Sequence, residues 1–360
     1  MRSAKKLLYL ATYNQNTEPG VHFKVQGFVQ AARNNGFNTE IFHRPQKQLK
    51  SILALMLTLI KTDAKFIIIR SLNLSNIYAI PFLVIARLQG KYLCLDVATP
   101  RKAAFHEIYE KRRGSFKKFT FVLMHYLNGP WTMWPYNKVI QYGEEGAYSL
   151  FGNRKRTIYL GNGIDLNRMP LRKKNYVWPD KYLNLVGVGN ISDYHGFDRI
   201  IRALYQWNFA DEIKYKVKFT IIGEGDYLEV LKDLVTKLNL EKFVCFEGQR
   251  DSDYIIKSYS ESHLAVSSLG LFRINLNVSG VLKAREYCLV GIPFIACGKD
   301  VDFPTELPFR MIVSNDESID DILKVFEKFD RVTNTFTDEE IRNYALSNLS
   351  FETQFKKIGI

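Results

Sequence analysis

The sequence has no CxxC pair and no histidine at zinc spacing; its four cysteines, Cys94, Cys245, Cys288 and Cys297, lie far apart. Three sit in apolar runs (YLCLD, VCFEG, PFIACG) and one in a helical pattern. A disulfide framework and a zinc module are therefore excluded, and the thiols read as small buried hydrophobes of a reducing compartment. No apolar run approaches the roughly 18 residues a membrane span needs. The nearest, 66–86, is broken by Arg70 and by SLNLSN. MRSAKKLLYLATY is not expected to be a secretory leader: its apolar part is short, it has no small-residue cleavage pattern, and it reads as a first strand. With 46% hydrophobic and 24% charged residues, disorder is excluded. Acidic residues are scarce in one half only. Residues 1–160 hold 8 Asp and Glu against 24 Lys and Arg (net +16), residues 161–360 hold 29 against 26 (net −3), and together they give +13. A uniformly basic globule is excluded, and two regions with different partners are expected.

Its 360 residues suit about two domains. Strand-like runs alternate with helical periods throughout: LLYLA, TEIFH, FIIIR, YLCLD, VIQYG and TIYLG in the first half, LNLVGVGN, FTIIG, VCFEG, HLAVSS, PFIACG and RMIV in the second. Val25, Phe28, Val29 and Ala32 at i, i+3, i+4, i+7 give one helix, stopped at Gly36. Others are expected over 51–61, 76–88, 196–207, 226–238, 252–260, 281–290 and 317–328. Near-continuous apolar strands between helices indicate parallel sheets covered on both faces. The stretch 166–181 is polar, contains Pro170 and Pro179 and lacks periodicity, so it reads as a linker. The expected fold class is α/β, two Rossmann-like parallel-sheet domains (1–165 and 182–345) facing across a cleft. Ligands belong where strand C-termini meet that cleft.

Several segments carry residues suited to chemistry. Gly20 and Val21, after the first strand, head a helix whose free N–H groups favour phosphate, with His22 and Lys24 as added donors. Asp96 ends the fourth strand and either orients or deprotonates an acceptor hydroxyl, as the candidate catalytic residue, or caps a helix or turn. His106 and His125 sit in helical patterns and read as packing residues. Asp251-Ser252-Asp253 has the form of a metal-binding Asp-x-Asp, but it lies between a strand and a helix, where such residues are ordinary caps; no metal is expected. The most informative stretch is HLAVSSLGLFRINLNVSGVLKAREYCLVGIPFIACG (263–298). There a helix opens near Val281 with Lys283, Arg285 and Glu286 in its first turns. Cations at a helix start oppose its dipole, which calls for an anionic ligand.

This segment, with VGNISDYHGFDRIIRAL (186–204), IIGEGDYLEVLKDLVTKLNLEKFVCFEGQ (221–249) and NGID (162–165), resembles the GT-B glycosyltransferases of retaining family 4. It is similar above all to the bacterial branch that builds capsular, exopolysaccharide or O-antigen chains. The resemblance runs nearly the whole chain and includes SFETQFKKI at the end, where 346–360 would return to the first domain. It implies a nucleotide-sugar donor on the second domain and an acceptor on the first. Leu282 and Lys283 match the family's diphosphate site and Glu286 its ribose ligand. Gly223 and Gly225 match the nucleotide pocket, and Gly20-Val21 the loop after the first strand. The first Glu of the family's paired motif falls on Val278, beside Asn277. Asn190 and His195 stand where its diphosphate-neutralising Arg and Lys fall, leaving Lys283 or Arg273 to supply charge. Asp96 matches a strand-ending carboxylate of the same branch.

The basic half has its own reading. Residues 101–138 hold Lys111, Arg112, Arg113, Lys117 and Lys118 interleaved with Phe105, Tyr109, Phe116, Phe119, Phe121, Tyr126, Trp131, Trp134 and Tyr136. Cations with aromatics suit the surface of an anionic bilayer. The expectation is a metal- and cofactor-free sugar transferase that retains anomeric configuration. It would be cytoplasmic and peripheral at the inner face of the plasma membrane, acting on a lipid-linked saccharide. Alternatives are a catalytically silent subunit of the same fold and, less favoured, a nucleic-acid binder.

Overall fold

The computed structural model describes residues 5–45, 49–72, 75–97, 105, 109, 114–143, 156–175, 181–304 and 306–360. The chain divides into two compact units, Met1–Gly163 with Phe351–Ile360, and Ile164–Ser350.

The first unit is built on six parallel strands, β1 (Lys5–Thr12), β2 (Phe37–Arg44), β3 (Phe66–Arg70), β4 (Tyr92–Val97), β5 (Lys138–Gln141) and β6 (Thr157–Tyr159), in the order β2-β1-β3-β4-β5-β6. Strand alternation sends side chains to two cores. Leu8, Leu10, Ile67, Ile69, Leu93 and Leu95 pack with Ile52, Leu55, Met56 and Leu59 of helix Leu49–Lys61 and Ala79 and Leu83 of helix Asn76–Leu88. Leu7, Tyr9, Ile68, Cys94 and Ile140 pack with Val25, Phe28 and Val29 of helix Pro19–Asn34 and with the C-terminal helix Phe351–Ile358. Burial on both faces is why these strands read as unbroken apolar runs.

The second unit has six more parallel strands, β7 (Tyr182–Val188), β8 (Lys216–Ile222), β9 (Val244–Phe246), β10 (Leu264–Val266), β11 (Phe294–Cys297) and β12 (Arg310–Val313), in the order β12-β11-β10-β7-β8-β9. The chain enters at β7, winds outward to β9, then returns to β7's other side. The order reverses between β7 and β10, which opens a crevice at their C-terminal ends. The second unit begins at Ile164, and residues 166–175, part of the stretch read as a linker, pack into it. Buried Arg172 pairs with Asp338 at 2.8 Å and donates to the carbonyls of Tyr259 and Ser262. Helix Asp338–Asn348, absent from the sequence reading, starts at a capping box of Thr337 and Glu340.

Phe351 closes the first unit. A Cβ on Gly27 would lie 2.3 Å from its ring and one on Gly163 2.5 Å, so both glycines exist to seat that ring. Phe351→Ala should cost about 3–5 kcal/mol of first-unit stability. Amide exchange in β1 and helix Pro19–Asn34 should accelerate accordingly, while exchange in β7 and β8 stays unchanged.

Candidate functional site

Three loops meet at the crevice of the second unit. The loop after β7 (Gly189 to Ser192) and the loop after β8 (Gly223-Glu224-Gly225) are laced together by Ile191 N–H to Glu224 O at 2.8 Å and Gly189 N–H to Ile222 O at 3.0 Å. Side chains do not fit between them. Gly223 and Gly225 have φ of +134° and +159°, and a Cβ on either would lie about on the backbone oxygen of Gly189 or Ile191 (1.9 and 2.2 Å). The glycines read as nucleotide-pocket residues therefore have a first, mechanical role in loop packing. The third loop, after β10, is joined by Leu269 N–H to His195 O at 2.9 Å.

Helix Leu282–Val290 points its N-terminus into this junction, capped by no side chain and with no acidic residue in its first turn. Its opening N–H groups have no intrahelical acceptor, and the dipole adds positive potential. Fully buried Arg285 fixes the helix by ion pairs to Asp300 and Asp302.

Lys283 is the distinctive group. Its chain lies across Gly189, where a Cβ would come within 2.6 Å of Cε and 2.8 Å of Nζ. The ammonium sits 5.1 Å from the centre of the Phe197 ring, sealed from solvent, with no hydrogen-bond partner among the described residues. Burial lowers its pKa to about 7, with Glu286 pulling the other way. His195, also buried, uses Nδ1 to accept from the Ser192 amide at 3.0 Å. Burial first, and then the charge of Lys283, holds its pKa well below the ordinary histidine value, so this imidazole is neutral. Glu286, one turn into the helix, faces Arg168 at 3.3 Å; burial raises its pKa against the opposing pull of Arg168 and Lys283.

The structure thus gathers His195, Gly223, Gly225, Leu282, Lys283 and Glu286 with the exposed Asn190 around one junction. Arg273 has other company: it grips Asp198 bidentately at 2.9 Å, Glu317 at 2.9 Å and the Asp193 carbonyl at 2.8 Å. Its charge is matched by two carboxylates, so of the two cations read as anion partners only Lys283 is unmatched. Asn277 is exposed and accepts from Asn315, and Val278 forms a parallel bridge with Lys299. Gly20 and Val21 lie in the first unit, in the opening turn of helix Pro19–Asn34, and a Cβ on Gly20 would touch nothing within 4 Å. Asp251 accepts from the Tyr254 amide as a helix cap.

Asp96 is 1% exposed in the first unit. It accepts from Tyr9 OH and lies 3.7 Å from Arg70, its β3 register partner. Nearby, half-buried Lys24 donates to Asn162 at 3.0 Å and stands 3.2 Å over the Tyr142 ring; desolvation lowers its pKa to about 7. Arg70 was legible only as a charge ending an apolar strand, and Arg168 only as part of a polar stretch. Lys117 is exposed on helix Ser115–Leu127 and Lys118 stands 4.3 Å over the Tyr109 ring, whereas Lys111, Arg112, Arg113 and His106 lie outside the described residues.

Residues 169–296 match the sequence profile "Glycosyl transferases group 1". No curated protein matches the chain in sequence. Among solved structures, the chain is similar to the lipopolysaccharide outer core galactosyltransferase WaaB (TM-score 0.63, 11% identity, 98% of each chain covered). It is also similar to HepE of Anabaena in complex with UDP-glucose (0.62, 16%, 98% of each chain). A third is the sucrose-phosphate synthase of Thermosynechococcus elongatus (0.62, 14%, 98% of this chain and 97% of that one). The fold is GT-B, with two Rossmann-like units.

Lys283→Met should raise the melting temperature of the free protein by about 2–4 °C below pH 7, since it removes a desolvated cation. The folded-state pKa is lowered from 10.5 to about 7. The unfolded chain therefore holds the extra proton across that window, and the lysine's cost to stability is full below pH 7 and fades as pH rises toward 10.5. The advantage of the methionine variant should shrink with pH in the same way, as read by differential scanning fluorimetry.

Proposed function

We propose that the protein is a glycosyltransferase that holds a nucleotide-sugar donor at the β7–β10 crevice of its second unit. The carrying observation is the partnerless Lys283 ammonium beside an uncapped helix N-terminus. A diphosphate is the ligand that answers both: its oxygens accept from the ammonium and from the first-turn amides, and its charge offsets the dipole. Glu286, held by Arg168, is placed to accept from ribose hydroxyls. The match of residues 169–296 to a glycosyltransferase profile supports the same reading, as does the fold shared with HepE, seen with UDP and with UDP-glucose.

In this proposal the bond from the sugar's anomeric carbon to the diphosphate breaks as the acceptor oxygen bonds to that carbon, on the same face. Lys283 and the helix N-terminus stabilise the charge growing on the leaving diphosphate, without a metal ion. Asp96 is assigned to the acceptor's proton, which requires acceptor binding to open it. The acceptor is a lipid-linked saccharide of bacterial surface polysaccharide synthesis, met at the inner face of the plasma membrane. Among the described residues no helix is long and apolar enough to cross that membrane.

A second reading has its own observation. At the first position of the paired-Glu motif, Val278 offers an aliphatic side chain, which makes no hydrogen bond to a sugar hydroxyl. A silent subunit would bind donor without turning it over.

UDP and UDP-glucose are the probes. Either should raise the melting temperature; Lys283→Met should abolish the shift, and Glu286→Gln should weaken binding by about tenfold. Release of UDP from UDP-sugars with a saccharide acceptor separates the transferase from the silent subunit. No shift with a panel of nucleotide-sugars would overturn the donor site. Bound anion restores the charged form of Lys283, so affinity should fall as pH rises above about 7, by up to about tenfold per unit. Isothermal titration at pH 6.5, 7.5 and 8.5 (about one unit apart) checks the slope.

A further inference from the structure

We propose that the first unit carries a second saccharide-binding site, remote from Asp96, which holds an acidic glycan chain on two tryptophans flanked by two arginines. The site rests on the reading of the protein as a glycosyltransferase of polysaccharide synthesis, whose growing chain it grips away from the reacting end.

The short 3₁₀ helix Pro130–Met133, which precedes β5, builds the platform. A 3₁₀ turn has three residues and rises about 2 Å per residue, so side chains at i and i+3 eclipse about 6 Å apart. The run Trp131-Thr-Met-Trp134-Pro-Tyr136 follows that period. Thr132, Met133 and Tyr136 are buried, the last two in a core of the first sheet, while Trp131 and Trp134 are 36% and 51% exposed. Each indole keeps part of its surface on the protein and offers the rest to solvent. Thr132 Oγ1 donates to the Gly129 carbonyl at 2.8 Å and the Trp134 amide to the Trp131 carbonyl at 3.2 Å, which fixes the turn. A side chain at 129 has no room, since a Cβ would lie 2.9 Å from the Tyr126 carbonyl and 3.3 Å from the Trp131 indole.

Trp131 and Trp134, with Leu88 and Pro135, line a groove of about 750 Å³, within the roughly 300–1,000 Å³ of small-ligand sites. Its polar walls are Arg87 and Arg156. Both are tethered through Nη1: Arg87 donates to Asn137 Oδ1 at 2.6 Å and to the Lys91 carbonyl at 3.3 Å, and Arg156 to the Trp134 carbonyl at 3.5 Å. Among the described residues neither arginine pairs with a carboxylate, and Nε and Nη2 of each are left to a ligand. Neither 76–88 nor 114–143 contains an aspartate or glutamate. The groove lies at the N-terminal end of β5, whereas the β4–β5 register sets Asp96 beside Ile140 toward the other end.

Shape and charge select the occupant together. A pyranose has flat C–H faces that settle on aromatic rings, and a rim of hydroxyls that stays in water. The step of about 6 Å between the two indole positions is close to the repeat of sugar units along a chain, so neighbouring rings can rest on neighbouring tryptophans. Guanidinium forks take carboxylates through paired N–H bonds, which makes the glycan an acidic one. Single-stranded nucleic acid also stacks on aromatics, but it draws its affinity from a cationic track along many phosphates. Here two cations serve walls that are otherwise aromatic and aliphatic. A chain held in the groove and long enough to reach Asp96 presents its end there at raised effective concentration.

The test uses the full chain, with Lys283→Met in parallel to remove anion binding at the donor crevice. The probes are short oligomers of galacturonate, glucuronate or sialate, with malto-oligosaccharides as the neutral counterpart and polyglutamate as a polyanion without sugar rings. At least one acidic oligomer should bind in isothermal titration and shift tryptophan emission, in the wild type and in Lys283→Met alike. Trp131→Ala with Trp134→Ala should abolish both signals; should that pair unfold the chain, Trp131→Leu with Trp134→Leu keeps the bulk without the aromatic face. Arg87→Gln with Arg156→Gln should weaken binding about tenfold, to the level of the neutral oligosaccharide. Unchanged binding in the tryptophan and arginine variants would place the contact elsewhere and overturn the site. Equal binding of polyglutamate or of malto-oligosaccharides would overturn it too. So would a tryptophan shift given by single-stranded DNA or by phosphatidylglycerol vesicles but by no oligosaccharide, and so would failure of all three acidic oligomers to bind. The donor site stands or falls separately on the UDP melting shift, which the tryptophan and arginine variants should retain.

Discussion

A cation held out of water with no partner is the constraint around which the second unit is arranged. Lys283 occupies its place because Gly189 lacks a side chain and because Phe197 forms the wall beneath. Gly189 in turn is held by Ile222, and the neighbouring loops are held by Gly223 and Gly225, which admit no Cβ. Arg285 locks the helix from behind with two buried carboxylates. None of these neighbours supplies the missing hydrogen bond, the gap that the proposed diphosphate would fill. In the proposed donor complex the unfavourable term of the unpaired cation is removed, so selectivity would rest on the architecture rather than on a surplus of positive charge.

The basic excess lies in the other half. The second half of the chain is close to neutral, and its two most buried arginines, Arg199 and Arg285, serve carbonyls and carboxylates of the fold. Arg273 is likewise matched by Asp198 and Glu317. In the first half the described cations take both exposed places, as Lys117 does, and buried ones, as does Lys91, which donates to the carbonyls of Leu59 and Ile60. Net charge and site charge are separate quantities here, set by different residues.

Much of this was legible in the sequence. All twelve strands were visible as β-branched or aromatic runs, because sheets covered on both faces leave few polar interruptions. The helix carrying Lys283 and Glu286 was visible from its period and from cations placed against the dipole. What escaped depended on long-range partners. Arg273 looked like an anion ligand because Asp198 and Glu317 are 75 and 44 residues away. Residues 166–175 looked like linker because the anchor of Arg172 is Asp338, 166 residues on. Helix Asp338–Asn348 carried a local signal in Thr337-Asp-Glu-Glu340, the capping-box pattern, which its weak apolar period obscured. Asp96 was placed correctly at a strand end, but its inward turn toward Tyr9 and Arg70 follows from the β3–β4 register, which no local pattern reports.

Phe351 bears on how the molecule comes to exist. A nascent chain emerges from its N-terminus, and domains ordinarily close in that order. Here the first unit lacks the ring that fills the space over Gly27 and Gly163 until Phe351, beyond the whole second unit, has been joined. The second unit, contiguous from Ile164 to Ser350, has all its parts before then. During synthesis the earliest segment waits with an open core while the later one closes. The half made first is the half finished last.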